Sequence, residues 1–178
     1  MTVIEVEAQR FVFDERWTVF GYDKDPYRQK YLGEVDCVDI VARGPERKLY
    51  LIEVKDYRGV DRAKERREDI VSGVLFKKIG QKVRETVAGL IGGWRNGTHR
   101  ASYQPFAPRL LDTQVDVHVI AWIEHSYQER DPAHVRLTTG TDLLKRQVHW
   151  LGARALVMNS QSPRQLPGLQ VRDDPGLK

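Results

Sequence analysis

Val38-Asp39-Ile40-Val41-Ala42-Arg43-Gly44-Pro45-Glu46-Arg47-Lys48-Leu49-Tyr50-Leu51-Ile52-Glu53-Val54-Lys55 is the stretch whose reading decides the fold. Two apolar runs flank a Gly-Pro turn, the pattern of a β-hairpin. The second run is apolar from Leu49 through Ile52 and stops at Glu53-Val54-Lys55, as a central strand does where its tip emerges at a polar place. Successive side chains on a strand point to opposite faces, so Glu53 and Lys55 share one face while Val54 turns into the core. Whether Asp39 joins them depends on the turn. An odd loop, such as the three residues Pro45, Glu46 and Arg47, sets Asp39 opposite Glu53; a loop of two or four residues does not. In the odd register two carboxylates and an ammonium converge, and a hard divalent cation best relieves the like charges.

Asp39 on one strand and Glu53-x-Lys55 on the next resemble the PD-(D/E)XK superfamily of nucleases, with its restriction-endonuclease-like fold. The resemblance covers residues 15–95 well and the remainder by element order. It implies an α/β fold, a central mixed β-sheet flanked by helices in the core order αβββαβ. It implies a Mg2+-dependent nuclease, with Mn2+ as a substitute, that hydrolyses phosphodiester bonds in nucleic acid, DNA before RNA. Asp39, Glu53 and the Val54 carbonyl would then hold the metal, and Lys55 would position or activate the attacking water. Val38 stands where the family name has proline. Asp36 is a second candidate acid, but Asp39 is preferred. Its distance from Glu53 suits a tight hairpin, and Asp36 is expected to project from the other face. The family's further acid near the metal would be Glu7 or Glu15, and its helix following the Glu-x-Lys strand would bring Gln81 or Lys82 beside the site. The biological setting implied is phage defence or DNA maintenance, as a homodimer or within a larger complex. The alternative is a nuclease-fold module that binds nucleic acid or assembles without cutting. A bare Glu-x-Lys triplet carries little, and a solvated hairpin tip with a surface ion pair is the competing reading.

A chain of 178 residues suits one domain, read as 1–159 with a Pro- and Gly-containing tail at 160–178. Lys and Arg total 29 against 25 Asp and Glu, giving +4 and a pI near 9.2. That balance permits a polyanionic partner without demanding one. The single cysteine, Cys37, has no internal disulfide partner, which suits a reducing compartment. No stretch has the pattern of a signal peptide or approaches the roughly 18 apolar residues of a membrane helix. The expectation is a soluble cytoplasmic protein with no membrane partner.

Elsewhere the patterns are less specific. Residues 2–7 alternate weakly and Phe11-Val12-Phe13 is apolar, compatible with a short helix or an edge strand. Residues 16–22 read as a strand, with Trp17, Val19 and Gly21 on one face and Thr18, Phe20 and Tyr22 on the other. Residues 23–33 read as a loop with one helical turn, whose tyrosines and basic residues either contact nucleic acid or pack onto the sheet. From Arg67, the positions Ile70, Val74, Ile79, Val83, Val87, Leu90 and Trp94 recur at three and four residues, predicting one long amphipathic helix or two shorter ones. Gly73 and Gly80 mark a break or a close approach. Lys77, Lys78, Gln81, Lys82 and Arg84 form its polar, basic stripe, and Arg58 lies at the mouth of the hairpin site. Arg58, Lys78, Gln81 and Lys82 are therefore the candidate nucleic-acid contacts. Residues 95–112 read as a loop able to lie against a substrate. Residues 115–123 predict a strand whose neighbours Asp116, His118 and His125 match no zinc spacing. Thr141 is placed to cap a short helix buried through Leu143, Leu144, Val148 and Leu151. Residues 155–158 form a last strand, and the tail has no periodicity, as in a flexible or docking segment.

Overall fold

The computed structural model describes residues 1–31, 35–58, 63–97, 100–163 and 165–174. The strands are β1 (Thr2–Val6), β2 (Gln9–Phe13), β3 (Thr18–Gly21), β4 (Ile40–Arg43), β5 (Lys48–Tyr57), β6 (Asp116–His125), β7 (Arg154–Met158) and β8 (Leu169–Asp173). The helices are α1 (Pro26–Tyr31), α2 (Ala63–Ser72), α3 (Val74–Asn96), α4 (Arg100–Tyr103), α5 (Ala107–Leu110), α6 (Pro132–Thr138) and α7 (Gly140–Val148). The chain is α/β, with a five-stranded mixed sheet ordered β3-β4-β5-β6-β7 and a three-stranded sheet ordered β1-β2-β8.

The apolar run 49–52 makes β5 the middle strand, buried on both faces. Antiparallel β4 reaches it through the hairpin, whereas β6 lies parallel to it and needs a crossover. The α2–α3 segment supplies that crossover. The period of two then divides the core. Leu49 and Leu51 join Val41 and Val119 against Phe76, Ile79 and Val83 of α3. Tyr50, Ile52 and Val54 face the opposite way, toward Phe11, Phe13 and Leu169 of the smaller sheet. Odd-numbered side chains of β5 therefore face the helices, and Glu53 and Lys55 inherit that direction.

The ambiguous N-terminal segment is a β-hairpin, so the chain opens on two strands, where the order αβββαβ calls for a helix. Phe11 and Phe13 cover the sheet's second face; Phe11 meets Trp122 edge-on at 5.6 Å. Each such ring contributes about 1.5–3 kcal/mol by leaving water. Of the two readings of the tail, flexible or docking, residues 169–173 take the second. Residues Leu169–Asp173 pair antiparallel with β2 along its length, and the Pro167 carbonyl accepts the Trp17 indole N–H at 3.0 Å. Leu169 and Val171 make only a short apolar alternation, too weak to stand out before its partner strand is known.

Both readings of the glycines hold. Gly73, at φ 79°, breaks the amphipathic run into α2 and α3. Gly80 is a close approach to α7, where a Cβ would come 2.5 Å from Gln147 Cβ. The 95–112 loop contains α4 and α5, and its aromatics turn inward. Tyr103 and Phe106 are buried around Phe20, and the Tyr103 hydroxyl donates to the Asp25 carboxylate. Thr141 does not cap α7, whose N-cap is Thr139; its hydroxyl accepts the Val157 N–H at 3.1 Å and joins the helix to β7. The turn expected within 23–33 is α1, and Gly33 lies outside the described residues. Among the described residues no helix is long and apolar enough to cross a membrane.

Candidate active site

The hairpin turn is the three-residue loop Pro45-Glu46-Arg47. Gly44 donates to the Lys48 carbonyl at 3.0 Å, and Glu46 and Arg47 take left-handed φ values of 59° and 57°. The register pairs Ile40 with Ile52, so one step further Asp39 stands opposite Glu53. The odd register is the one realised.

Three hydrogen bonds position Asp39. Its carbonyl accepts the Tyr22 N–H at 2.9 Å, and its Oδ2 accepts the Val54 N–H at 2.7 Å. Just before it, the Val38 N–H donates to the hydroxyl of Thr86 on α3 at 3.0 Å. Thr86 has no part in the sequence reading, yet a signal for it existed. It is a polar residue on the apolar stripe that runs through Val83, Val87 and Leu90, and such a residue is buried with a partner.

The Glu53 side chain is 0% exposed. Its Oε1 lies 2.6 Å from Lys55 Nζ and 3.0 Å from Lys82 Nζ, approaches set by charge and outside good hydrogen-bond directions. Its Oε2 has no hydrogen-bond partner. Lys55 also donates to the Val54 carbonyl at 3.0 Å. Burial, and then the neighbouring Glu53 carboxylate, push Asp39 up to about 7. At Lys82 burial is the largest single influence and pulls the ammonium down, but Glu53, Asp39 and Asp36 together outweigh it and the net shift is upward. Two acids and two ammoniums thus occupy one partly dry place.

The two acids line separate cavities that have Glu7 in common. Asp39 lines one of about 310 Å³ together with Val6, Gly21 and Lys24. Glu53, Lys55, Lys78 and Lys82 line another of about 210 Å³. Glu7, at φ 54° in the β1–β2 turn, borders both. Glu15 lies in the turn after β2, at the opposite end of that strand. Asp36 borders the second cavity, contrary to the expectation that it projects from the other face. Residues 35–38 are not strand, so strict alternation does not extend to them.

The candidate nucleic-acid contacts separate. Lys82 is inside the site; Lys78 lines its cavity and pairs with Asp69 at 2.6 Å. Gln81 is exposed and donates to Glu85 at 2.8 Å. Arg58 is engaged twice, with Asp56 at 2.7 Å and with Asp173 of β8 at 2.8 Å. Those two carboxylates hold it firmly protonated and make it a clamp between the sheets. His118 packs on Tyr50, and His125 on Tyr127 and His134.

Among the described residues no group of three or more His, Cys, Asp or Glu side chains is placed to hold a metal ion. Two carboxylates and a backbone carbonyl nonetheless fit a hard cation that keeps much of its water, as Mg2+ does. The buried, unpartnered Glu53 Oε2 is the atom that most favours such a ligand. Comparison with protein-family models, with curated proteins and with solved structures finds no match for this chain.

Proposed function

We propose that this chain is a divalent-cation-dependent nuclease of the PD-(D/E)XK plan, hydrolysing phosphodiester bonds in nucleic acid, DNA first. The observation that carries the reading is the convergence of Asp39, Glu53 and Lys55, with Glu53 fully buried and one of its oxygens unpartnered. The order β3, β4, β5, helices, β6, with the short α1 inserted between β3 and β4, supports it, since the strands follow the part of the core order that comes after the first helix.

Asp39, Glu53 and the Val54 carbonyl would hold Mg2+ or Mn2+. Such a cation, when bound, offsets charge on the phosphate and makes its water more acidic. Lys55 is tied to the Val54 carbonyl beside both acids, where its ammonium orients a water or meets charge developing on the phosphate. Lys78 and Lys82 give the cavity a cationic wall suited to backbone phosphates, independent of sequence. Hydrolysis then needs no covalent intermediate.

A second reading, a nuclease-fold module that binds without cutting, is favoured by one observation. Glu53 Oε1 already has two ammoniums on it, so the charge network is balanced as it stands. Plasmid and single-stranded DNA incubated with the protein in Mg2+, Mn2+ or EDTA separate the two. Cutting that EDTA abolishes supports the nuclease; binding without metal-dependent cutting supports the module.

A further inference from the structure

We infer that Lys82 couples cation binding to phosphate binding, holding Glu53 while no cation is present and turning to the substrate phosphate when one arrives. The inference rests on the nuclease reading and adds to it a positioning residue from a separate element. Lys55 is anchored twice, to Glu53 Oε1 and to the Val54 carbonyl, whereas among the described residues Glu53 is the one carboxylate within ion-pair distance of Lys82, with Asp39 and Asp36 acting on it from farther off. Lys82 comes from α3 on a flexible four-carbon stem, and its side chain is 19% exposed, toward the cavity it shares with Lys78. A cation on the Glu53 carboxylate would stand within a few ångströms of that ammonium, and like charges so close in a poorly solvated place repel strongly. The carboxylate cannot keep both. Lys82 is the one free to leave, and the open side of its cavity is where a phosphate would lie. Coupling of this kind is reciprocal: whatever the cation gains from the phosphate, the phosphate gains from the cation.

The test uses Ca2+ as the cation probe and a labelled single-stranded oligonucleotide as the phosphate probe, in the full chain. Calorimetry measures Ca2+ affinity, and fluorescence anisotropy measures oligonucleotide affinity in Ca2+ and in EDTA. Lys82→Met, which keeps the apolar stem, is expected to bind Ca2+ about fivefold or more tightly than the parent. In the parent Ca2+ tightens oligonucleotide binding; in Lys82→Met that gain shrinks, and Lys82→Arg restores it. Unchanged or weaker Ca2+ binding by Lys82→Met, or an undiminished gain, overturns the role of Lys82 and leaves the nuclease reading standing. Absence of Ca2+ binding by the parent is a different result and overturns both. Should Lys82→Met not fold, nitrogen-15 spectra of the lysine ammoniums in the parent decide: Lys82 must shift on Ca2+ addition, and an unmoved signal overturns the inference.

Discussion

The Asp39 carboxylate accepts the backbone N–H of Val54 at 2.7 Å, which fastens the acid of β4's approach to the residue between Glu53 and Lys55. The same bond that shapes the site also satisfies a buried donor. Asp39→Asn keeps an oxygen for that donor and should fold like the parent, while losing at least about a hundredfold in metal-dependent cutting. Asp39→Ala strands the N–H and should lose about 1–3 kcal/mol in urea unfolding as well. Equal stability of the two variants would contradict the positioning role of this bond.

Asp39 titrates near 7 in the folded chain, above its ordinary 3.8. The native state therefore keeps a proton that the unfolded chain has released, and stability falls as pH rises from about 4 to about 7. His118 and His125, pushed down chiefly by burial, act in the opposite sense and lose stability as pH falls below the usual imidazole range. The difference between Asp39→Asn and the parent cancels those histidines. In EDTA that difference should move in favour of the variant by of order 1–2 kcal/mol between pH 5 and pH 8. Saturating Mg2+ at pH 8 should close the gap by stabilising the parent. A pH-independent difference in urea midpoints would count against the carboxylate pair.

Glu53 lies between two ammoniums. Glu53→Gln leaves both without their carboxylate, at a cost of about 1–3 kcal/mol, below that of a wholly buried pair because the lysine heads reach the cavity. Adding Lys82→Met to Glu53→Gln should recover part of the loss. A double-mutant cycle by chemical denaturation should give a coupling of about 1 kcal/mol or more, and strict additivity would mean the ion pair is energetically idle.

Arg58 bridges Asp56 at the tip of β5 to Asp173 of β8. Its expected effect is thus on stability and not on substrate binding. Arg58→Ala should lower the melting temperature while leaving oligonucleotide affinity within about twofold, since a lost structural pair of this exposure is worth about 1 kcal/mol. A strong fall in affinity with unchanged stability would return Arg58 to the nucleic-acid contacts. Removal of residues 166–178 is a harsher version. It uncovers Phe11 and Phe13, and the product should unfold or aggregate.

What was legible in the sequence follows from how local each signal is. The run 49–52 and its abrupt end at Glu53 required a buried central strand, and a period of two placed Glu53 and Lys55 together. The hairpin parity rested on one turn, whose three-residue form could be stated as a condition but not decided. The strand β8 was illegible because its five residues become a strand only against β2, a partner more than 150 positions away. The partners of Arg58 and Gln81 were illegible for a related reason. A basic or polar residue near a site looks available until Asp173 or Glu85 is seen to hold it.

The central claim is that Asp39, Glu53 and Lys55 act together on a phosphodiester bond, and the most direct measurement is strand scission by the parent and by Lys55→Ala under matched Ca2+-verified folding and cation binding. In Mg2+ the parent should nick or degrade DNA, EDTA should stop it, and Lys55→Ala should bind the cation yet cut at least about a hundredfold more slowly. Equal cutting by the parent and Lys55→Ala, or equal cutting in Mg2+ and EDTA, would contradict the account.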